Sequence, residues 1–151
     1  MIDDTDRRIL TVLQRDGRIT NQALAEACNI SPAACFDRVK RLRAQGYILG
    51  TMALLDPAKL DRALLIFVEV LLDRTTGDLF DEFAAAVRDQ PEILECHMVA
   101  GGFDYLIKAR LRDMAAYRAF LGEVLVKMPG VRETRTYAVL EEVKNTAALP
   151  V

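Results

Sequence analysis

Residues 31–48 read SPAACFDRVKRLRAQGYI and decide the fold of the N-terminal part of the chain. Ser31 is a preferred N-cap residue and proline is favoured at the first helical position, so the spacing predicts a helix that begins at Pro32. Gly46 is typical of a helix end. The apolar residues that recur at helical spacing, and so predict a buried stripe, are Cys35, Val39 and Leu42.

The same helix concentrates positive charge. The 151-residue chain has 20 Lys and Arg residues against 22 Asp and Glu residues, and its formal net charge of −2 by itself disfavours nucleic-acid binding. Between Ser31 and Gly46, however, Asp37 is the only acidic residue beside four basic ones. A short helix with this charge is typical of a DNA-contacting surface.

Two further helices are predicted upstream of this segment. The first ends at Asp16-Gly17, and the second is capped at Thr20-Asn21. Only Asn29 and Ile30 separate the second helix from the third, and such a tight turn is typical of a helix-turn-helix. Residues 47–55 are β-prone and predict a strand that leads away from the helices. The apolar faces predicted for the first two helices contain Ile2, Ile9, Leu10, Leu13, Leu24 and Cys28.

This arrangement makes the third helix a candidate for the major groove. Small residues at its start allow close approach, guanidinium groups can pair with guanine edges or phosphates, and lysine suits phosphates. The start of the second helix could hold the phosphate backbone. Alternatively, the basic residues only form the solvated face of a surface helix. The residues predicted to contact DNA are Thr20, Asn21, Ser31, Ala33, Ala34, Asp37, Arg38, Lys40 and Arg41.

The remainder of the chain alternates strands and helices. Residues 63–72 are nearly all apolar and predict a buried strand, and Gly101-Gly102 predicts a hairpin turn between two later strands. The resulting order βαββαβ is ferredoxin-like, so the whole chain is predicted to be α+β. Its two helices cover one face of the sheet. Because large exposed apolar surfaces are rare, we expect the other face to pack against a second subunit. The other predicted elements are helices over 78–89 and after Asp113, and strands over 93–100, 103–111 and 131–142.

We therefore expect a helix-turn-helix domain over residues 1–50, a connector over 51–61 and a βαββαβ domain over 62–151. No apolar run reaches the roughly 18 residues that span a bilayer. The first residues resemble no signal peptide, so a cytoplasmic location is expected.

The cysteines do not indicate a disulfide framework or a metal site. Cys28, Cys35 and Cys96 are widely spaced and odd in number, and we expect them to be reduced and buried. The only histidine, His97, follows Cys96 directly, and neighbouring strand residues point to opposite faces of a sheet. No metal site and no cofactor are predicted.

Segments typical of one known family occur in order along nearly the whole chain. They are Asp6-Arg7, residues 16–19, Ser31-Pro32, residues 38–42, 45–48, 95–97, 101 with 103–105, 113–114, 116–118, 129–131, 134–137 and 141–144. Through these segments the chain resembles the Lrp/AsnC family of transcription regulators. The resemblance implies a winged helix-turn-helix followed by an amino-acid-sensing, ferredoxin-like domain. It also implies homodimers that assemble further, octamers included, and double-stranded DNA and a free amino acid as partners.

The resemblance places the amino acid between dimers, near the turn at residues 101–105. Chemistry supports this independently, because Asp104 can accept a hydrogen bond from an ammonium group and glycine N–H groups can approach a carboxylate. Met114 and Val139 could line an apolar pocket. For Asp104 the alternative is an ordinary turn residue. The predicted effector-binding residues are Gly101, Gly102, Phe103, Asp104, Tyr105, Met114, Thr134, Thr136, Tyr137, Ala138 and Val139.

The sequence is compatible with more than one effector and with two other functions. Gly102 stands where leucine-responsive members of the family carry an aspartate, so the sensed amino acid could be leucine or a related one. An architectural protein that compacts DNA would share the same fold. Some tetrapyrrole-processing decarboxylases also resemble this fold. The sequence offers no Ser-His-Asp set or phosphate-binding glycine loop, so we predict a regulator that activates or represses transcription, with no catalytic residue.

Overall fold

The computed structural model describes residues 1–151 and divides them into two compact units. The first unit comprises Met1–Leu54 together with Lys144–Val151, and the second comprises Leu55–Val143. The sequence-based boundaries placed the last residues in the second domain. In the structure this tail instead belongs to the first unit, because its backbone hydrogen-bonds to the Gln14 side chain.

Three helices form the first unit: α1 (Asp4–Arg15), α2 (Asn21–Cys28) and α3 (Pro32–Ala44). Each begins at a side chain that accepts a hydrogen bond from its first turn, and these N-caps are Asp3, Thr20 and Ser31. Such caps satisfy N–H groups that have no partner within the helix. Asn29 closes α2 in the left-handed conformation, at φ 55°, and makes the sharp turn into α3.

The core of the first unit confirms the predicted stripes. Cys35 and Leu42 of α3 are fully buried, and Val39 packs beside them. Each buried aliphatic side chain contributes about 1.5–3 kcal/mol relative to exposure. The residues of α1 and α2 that complete this core are Ile9, Leu10, Leu24, Ala25 and Cys28.

The strand predicted over residues 47–55 is wrong for this chain. Residues 48–56 have no regular secondary structure, and the side chains of Leu49, Met52 and Leu54 are exposed. A β-strand needs a ladder partner, and β-propensity alone does not supply one.

The second unit has the predicted order βαββαβ. The regular elements are β1 (Leu64–Leu72), α4 (Gly77–Arg88), β2 (Ile93–Met98), β3 (Tyr105–Leu111), α5 (Met114–Glu123) and β4 (Val131–Ala138). The four strands form one antiparallel sheet in the order β2-β3-β1-β4. Short 3₁₀ turns precede β1 and follow α5, at Ala58–Leu60 and Leu125–Lys127.

The two faces of this sheet differ in character. Alternate residues of β1 (Ile66, Val68 and Val70) are fully buried in a core that includes Phe83 of α4 and Phe120 of α5. The residues between them (Phe67, Glu69 and Leu71) are half-buried on the opposite, helix-free face. Neighbouring strand residues point to opposite faces, so this register decides which side chains can share a site.

Candidate functional site

The α3 helix presents its N-terminal half to solvent. Most of the residues predicted to contact DNA are exposed, and on α3 these are Ser31, Ala33, Ala34, Asp37, Lys40 and Arg41. At the start of α2, Thr20 is exposed, and its hydroxyl accepts a hydrogen bond from the Ala23 N–H at 3.2 Å. The Asn21 amide donates to the Pro32 carbonyl at 2.8 Å and so ties the start of α2 to the start of α3.

Sequence reasoning missed one residue on this surface. Phe36 lies on α3 between the buried Cys35 and the exposed Asp37, and 60% of its surface is exposed. An exposed aromatic residue on a groove-entering helix can contact a thymine methyl group. The sequence did contain a sign of this exposure, because Phe36 lies outside the apolar stripe predicted for the helix.

Two of the arginines predicted to contact DNA also form ion pairs within the chain. The guanidinium groups of Arg38 and Arg41 both turn toward carboxylates at the start of α1. Arg38 contacts Asp3 at 2.7 Å and Asp6 at 2.8 Å, and Arg41 contacts Asp6 at 2.6 Å. A helical wheel cannot show this, because the carboxylates come from another helix.

Hydrogen bonds in this cluster shift the pKa values of two of its members. The pKa of Asp3 is lowered, chiefly because its carboxylate accepts a hydrogen bond from the Asp6 N–H and then because Arg38 donates to it. The pKa of Arg38 is raised by hydrogen bonds to Asp3 and Asp6. Among the basic residues of α3, Arg38 and Arg41 form these ion pairs, and Lys40 and Arg43 form none.

In the second unit, the loop between β2 and β3 is built around Asp104. Its N–H donates to the Val70 carbonyl at 2.9 Å, and its carbonyl accepts from the Val99 N–H at 3.0 Å. One oxygen of its carboxylate accepts from the Leu72 N–H at 2.8 Å. The turn role weighed for Asp104 is thus present, and its second carboxylate oxygen has no such bond.

A small cavity lies beside this loop on the helix-free face of the sheet. Its volume is about 50 Å³, far below the roughly 300–1,000 Å³ of pockets that enclose a ligand. The cavity that a single chain forms is therefore too small to enclose an amino acid. Only Gly102 and Phe103 of the predicted residues line it, and the others, missed from the sequence, are Glu69, Leu71, Glu133 and Arg135.

The remaining predicted effector residues lie on both faces of the sheet. Thr134 and Thr136 pair with Val70 and Val68, so they share the helix-covered face, whereas Tyr137 lies opposite Phe67 on the other face. The Tyr137 hydroxyl donates to the Glu69 carboxylate at 3.2 Å. The residues that complete the set are Gly101 and Ala138, both exposed, Met114, exposed at the start of α5, and Val139, half-buried after β4.

Two of these side chains have informative surroundings. The expectation that Tyr105 lines the effector site is not met by its side chain, which is buried among the rings of Phe80 and Phe83. The Thr136 hydroxyl is buried and has no hydrogen-bond partner in this chain. A buried hydroxyl without a partner costs free energy.

The cysteines and the histidine occupy separate places. Cys28 and Cys35 are buried in the first unit, and desolvation raises the pKa of both thiols. Cys96, expected to be buried, is only half-buried, and desolvation raises its pKa to about 11. His97 instead contacts Glu95 at 3.1 Å. No group of three or more potential metal ligands forms in the chain, and none of its helices is long and apolar enough to cross a membrane.

Comparison with known proteins supports both units. A family model described as the Lrp/AsnC ligand binding domain matches residues 65–149, and a winged helix-turn-helix DNA-binding model matches residues 2–48. Leucine-responsive regulatory proteins from Salmonella typhimurium and Escherichia coli K12 are 52% and 51% identical over 150 residues, which cover 99% of this chain and 92% of each relative.

Solved structures agree with this result. A transcriptional regulator from Neisseria meningitidis, solved as a complex with L-Met, is 39% identical and superposes with a TM-score of 0.95, covering 99% of this chain and 97% of that one. An AsnC family regulator from Agrobacterium tumefaciens is 30% identical with a TM-score of 0.94 and the same coverage.

The relatives are regulators by name, in agreement with the regulator predicted from the sequence rather than the enzyme of similar fold. The predicted α+β architecture, a winged helix-turn-helix followed by a ferredoxin-like domain, is confirmed. Because one family model covers more than half of the chain and relatives match nearly its full length, the chain belongs to the Lrp/AsnC family of DNA-binding transcriptional regulators.

Proposed function

We propose that this protein is a sequence-specific regulator that binds double-stranded DNA through α2 and α3, and that a free amino acid bound by the second unit changes this affinity. The observation that carries the proposal is the exposed face of α3, which combines small residues, Phe36 and basic side chains on a capped, well-packed helix. The proposed DNA contacts are Thr20, Asn21, Ser31, Ala33, Ala34, Asp37, Arg38, Lys40 and Arg41, with Phe36 added.

For the effector we propose an apolar amino acid of the size of leucine or methionine. One relative is named leucine-responsive and another was solved with L-Met. Gly101 and Gly102 are exposed and have no side chain to keep a carboxylate away from their N–H groups, and the second oxygen of Asp104 suits an ammonium group. The cavity residues Glu69, Glu133 and Arg135 offer further polar contacts on the helix-free face.

We further propose that the working form is a homodimer that assembles into a higher oligomer, and that it acts in the cytoplasm on the nucleoid. The cavity beside Gly102 is too small to enclose an amino acid, so a second subunit would supply the rest of the site. The helix-free face of the sheet, with Phe67 and Leu71 half-buried, suits sheet-to-sheet packing.

The experiment is a titration of the purified protein onto the DNA upstream of its own gene, beside a shuffled duplex, at about 0.15 M salt, where non-specific attraction is partly screened. Each titration is repeated with leucine, with methionine and with neither. A preference for the upstream DNA that either amino acid changes is the expected result. Equal, weak binding to both duplexes would contradict specific regulation and favour an architectural role.

A further inference from the structure

Asp6 of α1 is a buried carboxylate whose partners come from α3. Its side chain is 1% exposed, and its two oxygens accept hydrogen bonds from Arg38 Nη1 at 2.8 Å and Arg41 Nη2 at 2.6 Å. The Asp3 N–H adds a third, longer bond at 3.2 Å. A carboxylate with so little exposure requires such pairing, because an isolated buried charge is strongly unfavourable.

The two arginines keep part of their hydrogen-bonding capacity. A guanidinium group has five N–H donors, whereas Arg38 contacts the carboxylates through Nη1 alone and Arg41 through Nη2 alone. Their side chains remain 27% and 46% exposed, respectively. The free Nε and Nη donors are thus available to a phosphate or a base edge from the solvent side.

The packing of α1 against α3 does not by itself require a buried carboxylate paired with two arginines. An apolar residue in place of a buried ion pair is often neutral or stabilising. A guanidinium held in place before binding, however, has less rotamer freedom to lose, which improves affinity about two- to tenfold per side chain. The arrangement therefore favours DNA contact more than it favours stability.

We propose that Asp6 is a positioning residue for DNA binding, which holds Arg38 and Arg41 by one edge and presents their remaining donors to the nucleic acid. This inference rests on the proposed DNA contacts of the two arginines. Asp6 itself touches no DNA, because its side chain is buried.

Asp3 supplies a matched comparison. Its carboxylate also contacts Arg38, but it is 56% exposed and does not contact Arg41. Asparagine is as good an N-cap as aspartate, so Asp3→Asn keeps the start of α1 while it removes one negative charge. Asp6→Asn removes the same charge from a buried site. A purely electrostatic role predicts tighter DNA binding for both variants. A positioning role predicts weaker DNA binding for Asp6→Asn and equal or tighter binding for Asp3→Asn.

The experiment measures affinity for the upstream duplex and the shuffled duplex over a range of salt concentrations, for the wild type, D6N, D3N and R41A. We expect D6N to bind the upstream duplex about tenfold more weakly, with a shallower salt dependence. We expect R41A to lose about one unit of salt slope and D3N to bind at least as tightly as the wild type. Equal or tighter binding by D6N would overturn the inference.

Thermal melting separates positioning from folding. If D6N weakens binding with an unchanged salt slope and a lower melting midpoint, the role of Asp6 is structural and the inference is wrong. If R41A binds as tightly as the wild type, the arginine contacts of the proposed function are wrong as well. If R41A binds DNA more weakly and D6N binds as tightly as the wild type, the inference about Asp6 is wrong, but the proposed arginine contacts stand.

A measurement on the wild type covers the case in which D6N does not fold. ¹⁵N relaxation of the arginine Nε–H groups is recorded for the free protein and for its complex with the upstream duplex. We expect order parameters near the rigid-backbone value of about 0.85 for both Arg38 and Arg41 before DNA is added. Order parameters below about 0.6 in the free protein would overturn the inference, because the two guanidinium groups would then not be fixed before DNA binds.

Discussion

Gln14 of α1 and Leu149 of the C-terminal tail form a reciprocal pair of hydrogen bonds. The Gln14 amide donates to the Leu149 carbonyl at 2.9 Å, and the Leu149 N–H donates to the Gln14 side-chain oxygen at 2.6 Å. The side-chain amide thus pairs with both the N–H and the carbonyl of one residue, as the backbone of a neighbouring strand would. The tail is therefore attached to the helical unit by a specific side chain, although it follows the second unit in the chain.

Gln14→Ala should release this tail. Both hydrogen bonds are exposed, so the free energy of unfolding should fall by about 1 kcal/mol or less, while amide exchange across residues 145–151 should become much faster. Gln22→Ala is the control, because Gln22 contacts only Glu26 of its own helix. Unchanged exchange in the Gln14 variant would mean that other contacts hold the tail.

Much of the architecture could be predicted because local signals and hydrophobic spacing agreed. The caps at Thr20, Ser31 and Asp113 marked helix starts, and the apolar run over residues 63–72 marked β1, although it did not show which of its residues face the helices. The failures involve partners distant in sequence. Residues 47–55 have strand propensity but no pairing partner in this chain, and the tail at Leu149 depends on one glutamine.

The candidate sites show the same limit more strongly. Exposure of Lys40 followed from the helical wheel, but the turning of Arg38 and Arg41 toward Asp6 did not, because it requires the packing of α1 against α3. In the second unit, composition pointed to Asp104 but not to the cavity residues Glu69 and Arg135. These residues meet the loop only through the register of β1 and β4.

Two substitutions at Asp104 should separate its turn role from its proposed ligand role. Asp104→Ala removes the acceptor of the Leu72 N–H, and this loss should lower the free energy of unfolding by about 1–3 kcal/mol. Asp104→Asn keeps an acceptor but removes the charge, so it should retain most of the stability while weakening amino-acid binding. Denaturant unfolding and calorimetric titration with leucine and methionine check both. Normal amino-acid binding by D104N would remove Asp104 from the proposed site.

Gly130 should tolerate no side chain. Its φ is +70°, and an added Cβ would lie 2.5 Å from the methyl groups of Leu79, a buried residue of α4. Gly46 has a similar φ of +77° with open space around it. Gly46→Ala should therefore cost only the backbone strain, about 1 kcal/mol, and Gly130→Ala should cost clearly more. Equal losses in urea unfolding would show that Leu79 moves aside.

The N-cap carboxylates of α1 and α5 should contribute to acid sensitivity. The pKa values of Asp3 and Asp113 are lowered from 3.8, in each case chiefly by a backbone N–H of the first helical turn. A lowered folded-state pKa gives stability that is complete above the unfolded value and is lost as pH falls through the folded value. The double variant D3N/D113N should thus be less pH-dependent than the wild type below about pH 4. Parallel stability curves in that range would contradict this assignment.

Phe36 should contribute to DNA sequence preference without contributing to the core. Because its side chain is 60% exposed, Phe36→Ala should change the free energy of unfolding by no more than about 0.5 kcal/mol. Loss of an apolar contact with a thymine methyl group should weaken binding to the upstream duplex more than to the shuffled one, and it should leave the salt slope unchanged because no phosphate contact is removed. Phe83→Ala, in the core of the other unit, should show the opposite pattern in melting experiments, with a stability loss of about 3–5 kcal/mol. An equal loss of affinity for both duplexes in the Phe36 variant would show that this ring supports α3 generally and reads no base.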